Sequence, residues 1–216
     1  MFTACWSVKG GSGTTTVATG LALAAAAGSP TLLVDLKGDA AAALGSPAPP
    51  GPGLGDWCRA HPDVAADGLA RLERSVADNL ALLEPGSQST GACASAAAEL
   101  LVGMLASDRR TVVADCGVAD STVSTAMAAG AGRSVLVLAP CYLSLRRATA
   151  IPLRPSGIVI VRAPWHAISD TEVGELLGVP VLARVPVDPS IGRAVDAGLL
   201  AVGAPRLLRR ATHALS

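Results

Sequence analysis

Short, continuous apolar runs alternate with helical patterns along the whole chain of 216 residues. Runs such as TLLVDL (31–36) and SVLVLA (134–139) are apolar at nearly every position, which indicates strands that are buried on both faces. When such strands alternate with helices, they form a mostly parallel sheet with helices on both sides. We therefore predict an α/β fold with a doubly wound, mostly parallel sheet of about seven strands. The whole chain, residues 1–216, should form one domain.

The apolar runs and the helical patterns also predict where each element lies. The predicted strands cover residues 2–8, 31–36, 79–84, 110–115, 134–139, 157–162 and 181–185. The predicted helices cover residues 14–27, 64–76, 92–107, 120–129, 142–150, 170–177, 189–197 and 203–214. The segment GSPAPPGPGLG (45–55) is rich in proline and glycine, and it predicts a surface loop rather than a linker between domains.

Composition and charge limit the compartment and the partners. Hydrophobic residues make up 50% of the chain but aromatic residues only 2%, so small aliphatic side chains must build the core. The 17 basic and 17 acidic residues cancel, which gives no general attraction to nucleic acid or to anionic membranes. The segment before Lys9 has no cationic secretory signal, and the apolar runs are shorter than the roughly 18 residues of a membrane span. We therefore expect a cytoplasmic protein with no membrane span.

The cysteines are far apart in the sequence and form no Cys-x-x-Cys motif. They are Cys5, Cys58, Cys93, Cys116 and Cys141. Because cytosolic proteins seldom contain disulfides, we expect all of them to be buried free thiols. A metal or iron–sulfur site has little support in this spacing.

A glycine-rich loop, VKGGSGTTT (8–16), lies between the first predicted strand and the first predicted helix. In a strand–loop–helix of this kind, backbone N–H groups point at phosphate oxygens, and the helix adds its positive amino-terminal end. Such a loop normally ends in Gly-Lys-Thr or Gly-Lys-Ser, but here Gly13 is followed by Thr14 and Thr15. The missing lysine contact is worth about 1.5–3 kcal/mol, or about ten- to a hundredfold in affinity.

The loop resembles the deviant Walker A loop of the MinD/ParA family of ATPases, K-G-G-x-G-K-T-T. The resemblance implies that the loop is nucleotide-binding through Lys9, Gly10, Gly11, Ser12, Gly13, Thr14, Thr15 and Thr16. In the family the first lysine, here Lys9, reaches across a dimer to the partner's phosphates. The second lysine of the family falls at Thr14 and is missing.

The resemblance extends over nearly the whole chain. Similar segments are LLVDLKGD (32–39), NLALLEPG (79–86), VVADCG (112–117), CYLSLRRA (141–148), GIVIVR (157–162) and LLGVPVLARVPVDPSIGRAVDAG (176–198). The short branch of CpaE-like and septum-site-determining proteins is the part of the family that the chain resembles most. The implied fold is that of the P-loop NTPases.

These segments assign roles to further residues through the resemblance. Asp35 and Asp115 match carboxylates on the Mg²⁺ side of the family's site, together with Thr15. Lys37 stands where the family has the catalytic aspartate that positions the attacking water. Val161 stands where the family has an asparagine that contacts adenine.

Three departures from the family pattern therefore fall in the nucleotide site, at Thr14, Lys37 and Val161. Phosphoryl transfer depends almost entirely on positioning and electrostatics, so the loss of two charged groups should slow it by orders of magnitude. Asp39 is an alternative for the carboxylate missing at Lys37, because switch loops move. We expect a slow or inactive ATPase with weak or no nucleotide binding; any remaining activity would be that of a weak Mg²⁺-dependent ATPase.

The resemblance implies a spatial-organisation protein of cell division, chromosome partition or pilus positioning, with a protein partner in that machinery. ATP or ADP with Mg²⁺ is the implied cofactor, and a scaffold that binds none is the other outcome. The alternative is an active ATP-dependent switch that forms a homodimer, with Lys9 acting in trans and Lys37 replacing the charge missing at Thr14. A third hypothesis is a metallochaperone-like protein that uses Cys116.

Arg206, Arg209 and Arg210 form a basic cluster on the last predicted helix. Positive charge in the carboxyl-terminal half of a helix is favourable to the helix dipole, which explains the cluster without a ligand. Some relatives in the family bind nucleoid DNA through basic residues late in the chain. A weak contact with DNA or with a membrane is therefore the alternative.

Overall fold

The computed structural model describes residues 1–47, 51–60, 68–213 and 215. Its strands are β1 (Phe2–Ser7), β2 (Thr31–Asp35), β3 (Arg74–Ala77), β4 (Leu80–Leu83), β5 (Thr111–Val118), β6 (Arg133–Leu138), β7 (Gly157–Arg162) and β8 (Val181–Pro186). Its α-helices are α1 (Thr14–Ala26), α2 (Ala40–Ala43), α3 (Leu54–Ala60), α4 (Ser95–Ser107), α5 (Thr122–Gly130), α6 (Tyr142–Ala150), α7 (Asp170–Leu177), α8 (Pro189–Asp196), α9 (Leu200–Gly203) and α10 (Arg206–His213). Short 3₁₀ helices cover Ala70–Leu72 and Thr90–Ala92.

In the described part of the chain, eight strands form one sheet in the order β3-β4-β2-β5-β1-β6-β7-β8. β3 pairs antiparallel with β4, and the other neighbouring strands pair in parallel. The chain moves to one side of β1 with β2 and to the other side with β6, as in doubly wound sheets. The predicted α/β fold with a mostly parallel sheet is confirmed.

The seven predicted strands are all present, with small shifts at their ends, but β3 makes an eighth. The predicted helix over 64–76 is wrong for residues 68–76, which form the first 3₁₀ helix and β3; residues 64–67 lie outside the described part. β3 pairs with β4 across a two-residue turn in which Asn79 has a φ of 57°. A four-residue edge strand leaves too short an apolar pattern to be recognised in the sequence.

The other seven predicted helices are present in the described residues; α6 and α7 have the predicted bounds, and the other five have shifted ends. The last one begins at Arg206 rather than at residue 203, and its predicted final residue, 214, lies outside the described part. The prediction omits the short helices α2, α3 and α9. The predicted loop over 45–55 is corrected at its end, where α3 begins at Leu54; residues 48–50 are not described.

Two hydrophobic layers pack against the sheet, one on each face. Neighbouring residues of a strand point to opposite faces, so Ala4 and Trp6 of β1 belong to one layer and Cys5 to the other. All three side chains are fully buried, and the Trp6 Nε1 donates a hydrogen bond of 2.9 Å to Ser134 Oγ. Burial on both faces accounts for the continuous apolar runs in the sequence.

The carboxyl ends of β2, β5 and β1 lie side by side, because these strands are neighbours in the sheet. Asp115 of β5 is in register with Asp35 of β2 and with Cys5 of β1. The glycine-rich loop follows β1 directly. These groups therefore meet at one edge of the sheet, which is where ligands bind in open α/β folds.

Candidate functional site

The glycine-rich loop provides an open backbone cradle in front of α1. Gly11 and Gly13 have positive φ angles of 71° and 83°, a conformation that glycine adopts without steric cost. A Cβ added at Gly10 or Gly11 would meet no described atom within 4 Å, so the space over the loop is open. Gly13 is the residue that precedes α1, and no side chain caps the helix there. The first N–H groups of α1 therefore remain available to an anion.

Two serine hydroxyls hold the start of the loop. Ser12 Oγ donates to the Lys9 carbonyl oxygen at 2.9 Å. Ser7 Oγ lies 3.1 Å from the carbonyl oxygens of both Lys9 and Gly117. The Lys9 side chain is half-buried, and its Nζ lies 3.5 Å from the Gly10 carbonyl oxygen. The loop is thus held by its own short polar side chains and keeps one cation at its rim.

Thr14 and Thr15, the residues that replace and follow the missing lysine, begin α1. The Thr14 side chain is buried, with a relative exposure of 6%. Thr15 is half-buried and lies beside Asp115, where its hydroxyl lowers the pKa of that carboxyl group. Thr14 therefore adds no charge to the cradle, whereas Thr15 presents a hydroxyl to the one buried carboxylate of β5.

Asp115 is fully buried at the carboxyl end of β5. Its Oδ1 accepts a hydrogen bond of 3.0 Å from the Gly117 N–H, but its Oδ2 has no partner among the described residues. Burial, and then the charge of Asp35, raises the pKa of Asp115 from 3.8 to about 6. Buried polar atoms are nearly always satisfied in folded proteins, so the orphaned Oδ2 marks a place for a cation or an ordered water.

Asp35 lies opposite Asp115 but is satisfied by the backbone. Its Oδ1 accepts hydrogen bonds of 2.8 Å from the N–H groups of Lys37 and Gly38, and its Oδ2 accepts one of 2.8 Å from Ala40. Burial raises the pKa of Asp35, and these hydrogen bonds oppose the shift. Asp35 therefore fixes the turn that leads into α2, and of the two predicted Mg²⁺-side carboxylates only Asp115 has an unused oxygen.

Lys37 crosses the end of β5. A Cβ added at Gly117 would lie 2.5 Å from Lys37 Cε and 2.6 Å from Lys37 Cγ, so the side chain passes directly over this glycine. The Lys37 ammonium group ends 3.4 Å from Asp120 Oδ1. The position at which the resemblance predicts a water-positioning carboxylate thus carries a cation that pairs with an exposed acid.

A small apolar cleft of about 160 Å³ lies beside Gly13. Its lining includes Gly13, Thr16, Val161, Val187, Asp188 and Ile191. A Cγ of Val161 would lie 3.3 Å from a Cβ added at Gly13, so Val161 closes one wall of the cleft against the loop. Pro186, Val187 and Asp188 line this cleft at the end of β8. They were not predicted as site residues, although they belong to the closing segment that resembles the family.

The cysteines differ from the prediction in two respects. Cys58 of α3 and Cys93 form a disulfide, so the expectation of free thiols is wrong for this pair. The two residues come together because α3 packs beside the second 3₁₀ helix, a contact between segments that no spacing pattern reveals. Cys5 and Cys116 are buried free thiols as expected, whereas Cys141 is a free thiol that is only half-buried.

The metallochaperone hypothesis finds no support around Cys116. This thiol is fully buried, and burial raises its pKa well above the usual value. In the ranges that the structure describes, no group of three or more histidine, cysteine, aspartate or glutamate residues is arranged to hold a metal ion. Mg²⁺ differs from such metals, because it is commonly held by one or two protein groups plus phosphate oxygens and water.

The residues present fit the phosphate part of a Mg²⁺–nucleotide. The open cradle and the uncapped start of α1 supply donors for phosphate oxygens. The Thr15 hydroxyl and the orphaned Asp115 Oδ2 supply hard oxygen atoms beside that cradle, which is the chemistry that Mg²⁺ prefers. None of the helices in the described residues is long and apolar enough to cross a membrane.

Comparison with known proteins gives a match in structure but not in sequence. No family model matches the chain, and no curated protein matches it. Among solved structures, a ParA family ATPase from Chlorobium tepidum superposes with a TM-score of 0.80 at 21% identity, covering 99% of this chain and 98% of that one. The septum site-determining protein MinD from Pyrococcus horikoshii, solved with Mg-ADP, gives 0.79 at 19% identity, covering 99% and 93%.

A third match is a MinC–MinD cell division complex from Aquifex aeolicus, with a TM-score of 0.74 at 16% identity, covering 99% of this chain and 92% of that chain. All three matches extend over nearly the full length of both chains. At these identities the likeness shows the fold. The chain has the fold of the ParA and MinD ATPases.

Proposed function

We propose that this chain is a MinD/ParA-like protein that organises another cellular component in space, and that its nucleotide site has degenerated to a slow or inactive ATPase. The observation that carries the proposal is an open phosphate cradle followed by an uncharged, buried Thr14. The fold, which the chain shares over nearly the full length of a ParA and a MinD ATPase, supports the assignment.

Weak nucleotide binding follows from what the cradle keeps and what it lacks. The backbone N–H groups and the start of α1 do not depend on side chains, so they still attract phosphate. Thr14 removes a charged contact worth about ten- to a hundredfold in affinity. Val161 offers an apolar wall instead of an amide to the base. We expect Mg²⁺–ATP and Mg²⁺–ADP to bind weakly or not at all.

Slow or absent hydrolysis follows from Lys37. When bound, Mg²⁺ would neutralise charge on the phosphates, and Thr15 and Asp115 are the residues that would hold it. A water for the attack still needs a residue to orient it. Lys37 is engaged with Asp120, and the Asp35 carboxylate is occupied by three backbone N–H groups. Neither the residue at position 37 nor Asp35 is therefore available to orient the water.

The alternative is an active dimerisation switch, and one observation favours it. Lys9 keeps its place at the rim of the cradle. A hydrogen bond with Ser144 lowers the pKa of Cys141, and burial lowers that of His166; the charge of Lys9 adds a smaller contribution to both. Each of these residues adjoins an exposed aromatic side chain, Tyr142 at 77% and Trp165 at 75% exposure. Exposed aromatic residues are enriched where proteins bind one another. This edge would then be the surface for a second copy or for the protein partner.

The cellular setting of the proposal is the cytoplasm, with a partner from the division, partition or pilus-positioning machinery. The comparison structure of MinD with MinC shows that a protein of this fold binds a partner protein. The balanced net charge argues against nucleic acid as the main partner.

Equilibrium titration of the purified chain with ATP and with ADP, each with Mg²⁺, tests the proposal. We expect a dissociation constant at least about tenfold weaker than that of the variant Thr14→Lys, because one charged contact is restored. A phosphate-release assay should give turnover at background for both proteins. Tight binding with turnover comparable to an active MinD or ParA protein would refute the degenerate site and favour the switch.

A further inference from the structure

A second cavity lies at the amino-terminal edge of the sheet, opposite the glycine-rich loop, and has a volume of about 860 Å³. Its walls come from the starts of β1 and β5, from the end of α1 and from α10. The apolar part of the lining includes Leu21, Leu23, Ala24, Ala25, Val113 and Ala204. Ligand pockets typically enclose roughly 300–1,000 Å³, so this cavity has the size of a small-molecule site.

The other part of the lining is basic. Arg206, Arg209, Arg210 and His213 all line the cavity. Positions three, four and seven residues after Arg206 share one face of a helix, so these side chains form one stripe along α10. On the opposite face of α10, Leu208 packs closely against Gly20 of α1, where an added Cβ would lie only 3.0 Å from the Leu208 side chain. This contact holds α10 in place. The basic stripe is therefore held over the cavity.

Within the described residues, the three arginines of this stripe have no acidic partner. No acidic side chain is part of the cavity lining. Arg206, Arg209 and Arg210 take no part in the ion pairs of the described chain. Like charges one turn apart destabilise a helix, and an anion bound between them would remove this cost. An apolar interior under unpaired guanidinium groups is complementary to a molecule with an apolar tail and an anionic head.

We propose that this cavity binds a single-chain amphipathic anion, a fatty-acid-like carboxylate. The acyl chain lies among the side chains of α1, β1 and β5, and the carboxylate accepts charge-assisted hydrogen bonds from the arginines of α10. Affinity should rise about fourfold for each methylene buried, which corresponds to about 0.8 kcal/mol. The inference is independent of the nucleotide site, which lies at the opposite edge of the sheet.

Calorimetric titration of the full chain with octanoate, decanoate and dodecanoate, each below its micelle concentration, tests the proposal. We expect one binding site, with affinity increasing by about fifteenfold for each two methylenes. The double variant Arg209→Gln/Arg210→Gln should weaken dodecanoate binding by about tenfold or more, because charge-assisted hydrogen bonds are lost. Arg146→Gln, an exposed arginine of α6 outside the cavity, is the matched control and should change nothing.

A second variant, Ala24→Leu, places bulk inside the cavity. It should weaken dodecanoate more than octanoate while leaving the urea midpoint unchanged, which separates loss of the cavity from loss of the fold. Dodecyltrimethylammonium, a cation of equal chain length, should not bind. The proposal is overturned if the cation binds as well as dodecanoate or if affinity does not depend on chain length. It is also overturned if Arg209→Gln/Arg210→Gln binds dodecanoate as the wild type does. Binding to acidic phospholipid vesicles without binding to the monomeric carboxylates, or self-association that the arginine variants abolish, would also overturn it.

Discussion

Asp35 and Asp115 lie opposite each other on the neighbouring parallel strands β2 and β5, yet only Asp35 has both carboxylate oxygens hydrogen-bonded. Burial raises the pKa of both acids, and the charge of Asp35 raises that of Asp115 further. The three backbone hydrogen bonds from the turn that follows Asp35 offset the cost of burying its charge. Asp115 is only partly compensated, because its Oδ2 accepts no hydrogen bond. A buried carboxylate oxygen left unsatisfied costs stability, and such a cost is expected where a ligand is bound.

The first prediction concerns Asp115 and pH. Its pKa of about 6 in the folded chain lies above the ordinary 3.8, so the folded state holds a proton that the unfolded state has lost between about pH 4 and 6. The free energy of unfolding should therefore fall as pH rises through this window. Asp115→Asn should flatten this dependence and raise stability at pH 7 by up to about 3 kcal/mol.

Urea unfolding at pH 4 and at pH 7 measures this difference. Asp196→Asn, an exposed acid of α8, is the control and should leave the pH dependence as it is. If the pH dependence of Asp115→Asn is the same as that of the wild type, this carboxyl group does not cause the loss of stability at higher pH.

The second prediction concerns Gly117 and Lys37. Gly117 has a φ of 59°, a conformation that costs other residues roughly 1–2 kcal/mol. Gly117→Ala should cost about this amount and should also displace Lys37, whose side chain lies 2.5 Å from the new methyl position. In the Lys37→Ala background the cost should be smaller by roughly 0.5 kcal/mol or more, a coupling that a double-mutant cycle measures.

Gly103→Ala is the matched control for this cycle, since this exposed glycine in α4 has open space around its Cβ position among the described atoms. That change should stabilise the chain by up to about 1 kcal/mol. If the costs of Gly117→Ala and Lys37→Ala simply add, the two side chains do not meet.

The third prediction concerns the disulfide between Cys58 and Cys93, which are 35 residues apart. A cross-link of this length stabilises a fold by roughly 2–4 kcal/mol, chiefly by restricting the unfolded chain. Cys58→Ala/Cys93→Ala should lower the free energy of unfolding by about this amount, and reductant should lower that of the wild type but not of the double variant. Cys141→Ala, which removes a free thiol, should remain sensitive to reductant. Equal stability of the wild type and the double variant without reductant would contradict the disulfide.

The fourth prediction separates the effect of Thr14 on nucleotide binding from the effect of Lys37 on hydrolysis. Thr14→Lys should raise affinity for Mg²⁺–ATP about ten- to a hundredfold, because the open backbone cradle is already in place. Turnover should stay at background in this variant and rise only when Lys37→Asp is added, since binding and attack by water depend on different groups. Calorimetry and phosphate release measure the two steps. A folded Thr14→Lys protein that still binds no ATP would place the obstruction elsewhere, with Val161 the first residue to change.

The sequence by itself determined the elements that carry strong periodic signals. Strands buried on both faces must be apolar at nearly every position, so seven strands and the mostly parallel sheet could be predicted from residue patterns. The glycine-rich loop could also be located, because positive φ angles at Gly11 and Gly13 require glycine. The short edge strand β3 could not, since its four residues are held by pairing with β4 rather than by their own pattern.

Only the tertiary structure decided which distant groups meet. The pairing of Cys58 with Cys93, the passage of Lys37 over Gly117 to Asp120, and the hydrogen bonds that occupy Asp35 depend on how separate segments pack. The cavity under α10 likewise exists because α10 docks on α1 across Gly20, which no local pattern specifies. Periodicity is a property of neighbouring residues along a chain, whereas charge pairing, cross-links and cavities are set by distances between residues far apart in the sequence.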